Sequence, residues 1–477
     1  MAQTSILSQS TQRAKAFWIA QADKATFEFA LLAVITLAAA LLRFYKLGEW
    51  SFWGDEVFTI SLKEDGFNYS IWRRSLATTL IRAVTAARGD SEWNARLVPA
   101  IIGIISIPLL YWVIRRVFGK NVAMIASVLL ALSPWHIYWS QNARFYILLL
   151  LFYSLGMMAF YIGLEEDRPW WILAALVLLG MAARERLLAL FFVPVILVYL
   201  LCLKILPVPQ PPGLRSRNLL LFFTPAVILG GLLAGPFLAN LSQWMASFGR
   251  INNSPFWIFS GVLSYIGLPV FSLAIFGAAY LLARRERAAL YFGLGAVVPL
   301  VGVMGISLFH YSANRYVFVS LMSWVILAGL TVMEIFNRLN EKGWILAVGI
   351  FALLVFTSVE ADYMYFNYQN GNRPNWKAAF AFIQERKLPG DRIFTSDQDI
   401  ANYYLKEKTG SLQIFDFNNS YWLTKRIWML EDLDAEELYP EQLRWMKENA
   451  LQVANFDVRF SARVFAMRVY LYVPGAR

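Results

Sequence analysis

Long apolar stretches govern what this 477-residue chain can become. About 20 consecutive apolar residues cross a bilayer as a helix, and eleven stretches approach that length: 26–45, 97–115, 121–140, 145–164, 169–183, 187–204, 218–240, 257–283, 288–309, 316–334 and 343–360. The fifth is short enough to be tilted or partly interfacial. Only 16% of residues are charged, well below the quarter or so of a soluble domain, and 58% are hydrophobic. A soluble globular protein is excluded, and 36 Phe, 22 Tyr and 18 Trp without a short repeat exclude a disordered or fibrous one. The reading is a polytopic α-helical membrane protein.

Charge sets its orientation. The net charge is +11, and residues 373–477 carry only +1 of it, so the basic excess lies among the apolar stretches. With the N-terminus cytoplasmic, fifteen Lys and Arg fall in cytoplasmic segments, whereas the short outer loops hold only Arg144, Arg184, Arg186, Arg250 and Arg315. That asymmetry follows the positive-inside rule. It places loop 46–96 and the tail beyond about Asp362 outside a cell inner (plasma) membrane, so that the C-terminus is periplasmic or extracellular. No basic block interleaves with exposed aromatics, which sets nucleic acid aside. The lone cysteine, Cys202, forbids an internal disulfide and favours a bacterial or archaeal membrane. Residues 1–24 are polar and show no cleavable signal pattern.

Loop 46–96 opens with Glu49-Trp50-Ser51-Phe52-Trp53-Gly54-Asp55-Glu56. Charged residues next to a span are costly and often functional. The adjacent carboxylates Asp55 and Glu56 suit a general base or a metal ligand; a solvated acid pair is the plain alternative. Gly66–Ala87 sets Trp72, Leu76, Leu80 and Val84 four apart, with Arg73, Arg74 and Arg82 off that stripe. The spacing predicts an amphipathic helix, either interfacial or packed on the bundle.

The remaining outer turns collect Ser133–Tyr146, Arg184-Glu185-Arg186 and His310-Tyr311-Ser312-Ala313-Asn314-Arg315-Tyr316 on one side of the membrane. Single arginines at helix ends can snorkel. Four against the positive-inside bias suit a lipid phosphate, because guanidinium groups pair with phosphate oxygens two at a time. His136 and His310 lack metal-ligand spacing and read as structural. No phosphate-binding glycine loop or Ser-His-Asp set stands out. From Asn375 the composition turns polar. The tail predicts a helix to Lys387, a turn at Pro389-Gly390-Asp391, strands over Arg392–Ser396, Arg426–Leu430 and Arg459–Val473, and a helix over Gln398–Lys406. Two units result: residues 1–365 in the membrane, including loop 46–96, and a small extracytoplasmic α/β domain over 366–477.

Several of these stretches resemble one family. Trp53-Gly54-Asp55-Glu56 after the first span, Ser91–Pro99 leading into the second, Ser133–Tyr146 with its Ser-Pro, Tyr-x-Ser-Gln and Ala-Arg-x-Tyr elements, and Asn314-Arg315-Tyr316 are similar to motifs of the GT-C polyprenyl-phosphate-dependent glycosyltransferases. The match is to the family 39 branch of protein O-mannosyltransferases and lipid A aminoarabinose transferases, and it extends to Asn375-Trp376-Lys377 and Pro389-Gly390-Asp391. The resemblance implies an outer-face, inverting sugar transfer from a polyprenyl-phosphate donor to a lipid, glycan or protein acceptor. Asp55 is then the base, and Glu56 orients it or meets the acceptor. Arg144 and Arg315 bind the lipid phosphate first, with Arg184, Arg186 and Arg96 next. Glu92, His136, Tyr146, His310 and Tyr316 are candidate substrate contacts. No cofactor is required, a divalent metal is possible but unsupported, and a monomer suffices. Three positions depart from the family: Trp72-Arg73-Arg74-Ser75-Leu76 has no proline, Asn142 stands where Glu is common, and Arg184-Glu185-Arg186 replaces a Thr-His-Tyr-like turn. They leave sugar and acceptor open. A lipid flippase or exporter, or an inactive lipid-binding scaffold of the same fold, are the rival readings.

Overall fold

The computed structural model describes residues 26–61, 75–247, 254–338, 340–417, 419–460 and 463–475. Seven described helices are long and apolar enough to cross a membrane, or eight if one bent pair is a single span. They surround α6 (Tyr146–Glu165) and Asn314–Arg338, whose apolar windows are 89% and 83% buried, against 22% for α1 (Thr26–Phe44). Helix α1 shows why. Leu32, Ile35 and Ala39 pack inward, while Phe27, Leu31, Val34, Leu37 and Leu41 are exposed. A helix apolar on every side with one face packed has the rest suited to lipid.

The apolar stretches of the sequence recur as helices, with their bounds adjusted at three places. The stretches 97–115 and 121–140 are two helices that meet at Gly119, whose φ of 79° and ψ of 172° are not helical; the whole run is α4 (Glu92–Ala131). It stops at Ala131, because Ser133 and Pro134 start a separate short helix, α5 (Pro134–Ser140). The Ser133 side chain accepts from the His136 amide, and Pro134 sits in the first turn, where a missing N–H costs nothing. The stretch 257–283 is two helices, α10 (Pro255–Ile266) and α11 (Leu268–Ala283), bent by 100° at Gly267, whose φ is 84°. Finally, α7 (Pro169–Glu185) has 17 residues, and α9 runs over Ser216–Ser247.

In the first loop, α2 (Gly54–Ser61) and α3 (Leu76–Arg88) are described. Trp72, Arg73 and Arg74 lie outside the described residues. The buried stripe of α3 is Ala77, Ile81 and Thr85, one residue later than predicted, and Leu80 is 40% exposed. The helix packs on α2 and α4 rather than standing apart.

Helix α14 (Asn340–Asn367) leads into the C-terminal domain. Its sheet has the order β2-β1-β3-β7-β4. Strands β1 (Arg392–Thr395), β2 (Gly410–Ser411) and β3 (Ile427–Asp432) run parallel. Strand β7 (Met467–Tyr472) pairs antiparallel with β3 and with β4 (Leu451–Asn455). Strand β3 is buried throughout. Side chains alternate along it: Trp428 and Leu430 join the core under α15 (Trp376–Arg386) and α16 (Gln398–Leu405), whereas Ile427 and Met429 join the core under α18 (Leu433–Leu438) and α19 (Pro440–Asn449). The first of these cores also holds Phe52, Val57, Ile81, Ala95 and Ala143. The C-terminal domain and the first loop therefore share one core.

Candidate active site

Helix α2 begins directly behind Trp53, whose carbonyl accepts from the amides of Glu56 (2.9 Å) and Val57 (3.2 Å). Asp55 and Glu56 occupy its first turn, where the exposed amides favour negative charge. Successive residues on a helix point about 100° apart, so the two carboxylates part company.

Glu56 turns inward and is 0% exposed. Its Oε1 accepts from Arg96 Nε (2.8 Å) and the Ala143 amide (2.7 Å), and its Oε2 from Arg96 Nη2 (2.8 Å). Arg373 Nε lies 3.6 Å from Oε2. Burial alone would raise its pKa, but Arg96, Arg373 and the hydrogen bonds outweigh it and hold the carboxyl below its usual range. Arg96 gives its remaining bonds to the carbonyls of Leu47 (3.2 Å), Trp50 (3.0 Å) and Ser51 (2.9 Å). A guanidinium has five N–H groups, and all five are spent inside the protein. One carboxylate thus ties together α2, α4, the 141–145 loop and the start of the C-terminal domain. The structure gives Glu56 and Arg96 no open face toward an acceptor or a lipid phosphate.

Asp55 turns outward, with a side chain 36% exposed, and its Oδ2 lies 3.5 Å from Arg144 Nη2. Arg144 Nη1 donates to the Asp55 carbonyl and to Thr59 Oγ1, both at 2.9 Å. The Arg144 and Arg186 guanidinium carbons stand 5.1 and 5.4 Å from the same Phe145 ring. Arg315 stands 5.5 Å from both Trp53 and Tyr316, and Trp53 Nε1 donates to Asn142 Oδ1 at 3.1 Å. Tyr146 packs against Trp139 with centroids 3.9 Å apart and the rings tilted by 35°. The Nε atoms of Arg144 and Arg315 are buried without a hydrogen-bond partner. Buried donors normally find acceptors, so two strong cationic donors beside one half-open carboxylate suit an anionic oxygen.

Other sequence candidates fall elsewhere. His136 is fully buried. Its Nδ1 accepts from Arg43 Nη2 (2.7 Å), leaving Nε2–H for Ser106 Oγ (3.1 Å). Burial and the Arg43 charge push its pKa well below the usual value, so it is neutral. Arg43 also bonds Leu130 and Ala131, carbonyls at the end of α4. Neither residue faces an opening, and both are structural. Glu92 accepts from Tyr404 Oη at 2.9 Å and lies 3.3 Å from Lys377 Nζ, so it docks the C-terminal domain. His310 Nδ1 meets the Tyr311 carbonyl at 3.0 Å. Arg184 is exposed; between it and Arg186, Glu185 accepts from the amides of Leu76 (2.8 Å) and Ala77 (3.2 Å), which caps α3. Sequence reasoning passed over Arg43, Glu185 and Arg373. A cation closing an apolar run was the available signal for Arg43; nothing local marks Arg373. Among the described residues no group of three His, Cys, Asp or Glu could hold a metal ion.

This arrangement can be set beside known proteins. Across 94% of its length the chain superposes on 99% of the crystal structure of ArnT from Cupriavidus metallidurans, with a TM-score of 0.58 at 17% identity. The chain has the GT-C fold. The same ArnT bound to undecaprenyl phosphate gives a TM-score of 0.55 at 16% identity, covering 93% of this chain and 98% of that one. The archaeal oligosaccharyltransferase AglB from Archaeoglobus fulgidus, in complex with an inhibitory peptide and a dolichol-phosphate, gives 0.56 at 13%, covering 93% and 74%. A model of the dolichyl-phosphate-mannose-protein mannosyltransferase family matches residues 76–227. Two proteins of Bacillus subtilis (strain 168), the proposed mannosyltransferases YkcB and YycA, are 27% and 26% identical over 114 and 119 residues, 24% of this chain in each case. The similarity spans only 16% and 17% of those relatives.

Proposed function

We propose that this GT-C chain is an integral-membrane glycosyltransferase that moves a sugar from a polyprenyl-phosphate donor to an acceptor hydroxyl. The observation that carries the reading is Asp55, half exposed and 3.5 Å from Arg144, next to cationic donors without partners on Arg144 and Arg315. Asp55 takes the proton of the acceptor hydroxyl. The oxygen attacks the anomeric carbon, the bond from that carbon to the phosphate oxygen breaks, and the polyprenyl phosphate leaves with the bonding pair. Attack opposite the leaving group inverts the sugar. Arg144 and Arg315 stabilise the charge that grows on the phosphate, and Arg186, sharing the Phe145 ring, adds a third cation at its rim. Glu56 and Arg96 hold the base in place without touching substrate. The neutralising charge comes from guanidinium groups, and the chemistry asks for no metal. The acceptor is a lipid, glycan or protein presented on the extracytoplasmic face, where the C-terminal domain then lies.

The test pairs wild type with Asp55→Asn, each incubated with undecaprenyl-phosphate sugars and a membrane acceptor extract, reading release of undecaprenyl phosphate. Turnover by wild type and loss in the variant, with lipid binding kept in both, is expected. An Asp55→Asn protein that turns over at the wild-type rate sinks the assignment.

A further inference from the structure

Helix α16 belongs to the C-terminal domain, yet it lies across the chain that leads into α2. Tyr404 Oη accepts from the Phe52 amide at 2.7 Å and donates to Glu92 at 2.9 Å. Tyr403 bonds the Asp90 carbonyl and meets Phe52 edge-on with centroids 5.1 Å apart. At the other end of α16, Asp397 caps the helix, its Oδ1 accepting from the Ile400 amide at 3.0 Å. Capping uses one oxygen. The second reaches the start of α2: a Cβ built on Gly54 would stand 2.6 Å from Asp397 Oδ2, a separation that real Cβ atoms essentially never show. Gly54 is not among the residues with positive φ, so its own backbone does not call for glycine. The space taken by Asp397 does. Gly54 immediately precedes Asp55, so α2 is bonded by Arg144 at Thr59 and faced by the Asp397 carboxylate at Gly54.

We propose that Asp397 is a positioning residue for the transfer: by filling the space over Gly54 it fixes the start of α2 and the direction of the Asp55 carboxylate. The C-terminal domain is then a working part of the catalytic centre. This rests on the reading of Asp55 as the base. It goes beyond that reading because it assigns a role to a residue some 340 positions away that touches no substrate. A displacement at Gly54 acts first on the turn that carries Asp55; Arg144 is bonded to that turn at the Asp55 carbonyl but also to Thr59, and Arg315 stands on a separate segment, Asn314–Ser320, so the change falls on proton abstraction more than on donor binding.

A double-mutant cycle isolates the contact. Asp397→Ser keeps a good helix cap and withdraws Oδ2; Gly54→Ala puts a methyl where Oδ2 now sits. Each alone should lower kcat by about 10–100-fold, the scale of a misplaced catalytic group, with KM for the undecaprenyl-phosphate sugar within about twofold, as expected when an interaction made only in the transition state is lost. The double variant should recover at least about fivefold over Gly54→Ala, because the methyl occupies the vacated space. Asp397→Asn keeps both cap and shape and should stay within about threefold of wild type. Hydrogen exchange supplies a readout that needs no turnover: amides 55–61 should exchange faster in each single variant and return in the double, with the helix Leu321–Arg338 unchanged. Strictly additive losses, or unchanged exchange in α2, overturn the proposal. If Asp55→Asn is fully active, the base assignment has failed; if it is inactive while the cycle is additive, only the role of Asp397 has.

Discussion

Replacing Glu56 by Gln changes one atom, and the contacts say which bonds go. The Gln oxygen can keep the Oε1 partners, Arg96 Nε and the Ala143 amide. Its amide nitrogen then faces Arg96 Nη2 and Arg373 Nε, donor against donor. Both arginines are buried, at 0% and 1% exposure, so two guanidinium charges lose their carboxylate with no water to replace it. Breaking a buried pair by removing one partner costs about 3–5 kcal/mol. At no more than about 2 °C per kcal/mol for a chain of this size, the melting midpoint falls by up to about 10 °C. Tryptophan fluorescence of the detergent-solubilised protein would follow it. The pH dependence carries a second mark. The folded pKa of Glu56 lies below its unfolded value, about 4.3. Its contribution is therefore complete above that value and lost as pH falls through the folded pKa. Wild type should lose stability in that acid window more steeply than Glu56→Gln, and the gap between them should close. An unchanged midpoint at pH 7, or identical acid limbs, would refute the view of Glu56 as the hub of the site.

Three further outcomes follow from the same geometry. Arg315→Met should cut release of undecaprenyl phosphate by about 10²–10³-fold, the usual cost of losing one oxyanion donor; a melting midpoint near that of wild type would separate this from unfolding. Asp432 is pushed up to about 7, first by burial and then by Asp434. The folded state therefore binds the extra proton between about pH 4 and 7, and stability falls as pH rises through that window. Asp432→Asn can still accept from the Ala435 amide (3.1 Å), so it should melt higher than wild type at pH 8 and show a flatter profile; a lower midpoint at pH 8 would contradict this. Glu185→Ala removes the acceptor of the Leu76 and Ala77 amides and leaves the Ser75 cap on Thr78, so exchange should speed at Leu76 and Ala77, with no change in α16 as the internal control.

What the sequence made legible follows the range of the forces involved. Hydropathy found the helices, because a span is written in consecutive residues. It missed the break after Ala131 and the bend at Gly267, where a serine cap and a glycine–proline pair act within apolar stretches. It placed the stripe of α3 one residue off, because Leu80 looked like core and Ala77 did not. In the C-terminal domain the strands β1, β3 and β7 were readable from their apolar runs, whereas α18, α19 and β4 are polar enough to pass as loop. Asp55, Arg144 and Arg315 stood out because charges are rare beside membrane spans, and the structure brings them together. Glu56 and Arg96 stood out for the same reason, but only tertiary contacts show that they serve each other. Arg373 and Asp397 were beyond reach: each matters through a partner hundreds of residues away.

That separation gives the site a place in time. Helix α2 is synthesised within the first sixty or so residues of the chain, and Arg96 follows forty residues after Glu56. Arg373 and Asp397 emerge only when more than three quarters of the protein has been made. A nascent chain ending before them would already own Asp55, Arg144 and Arg315, yet Glu56 would lack its second cation and Gly54 its neighbour Asp397. Assembly of this cluster therefore waits for the last part of translation.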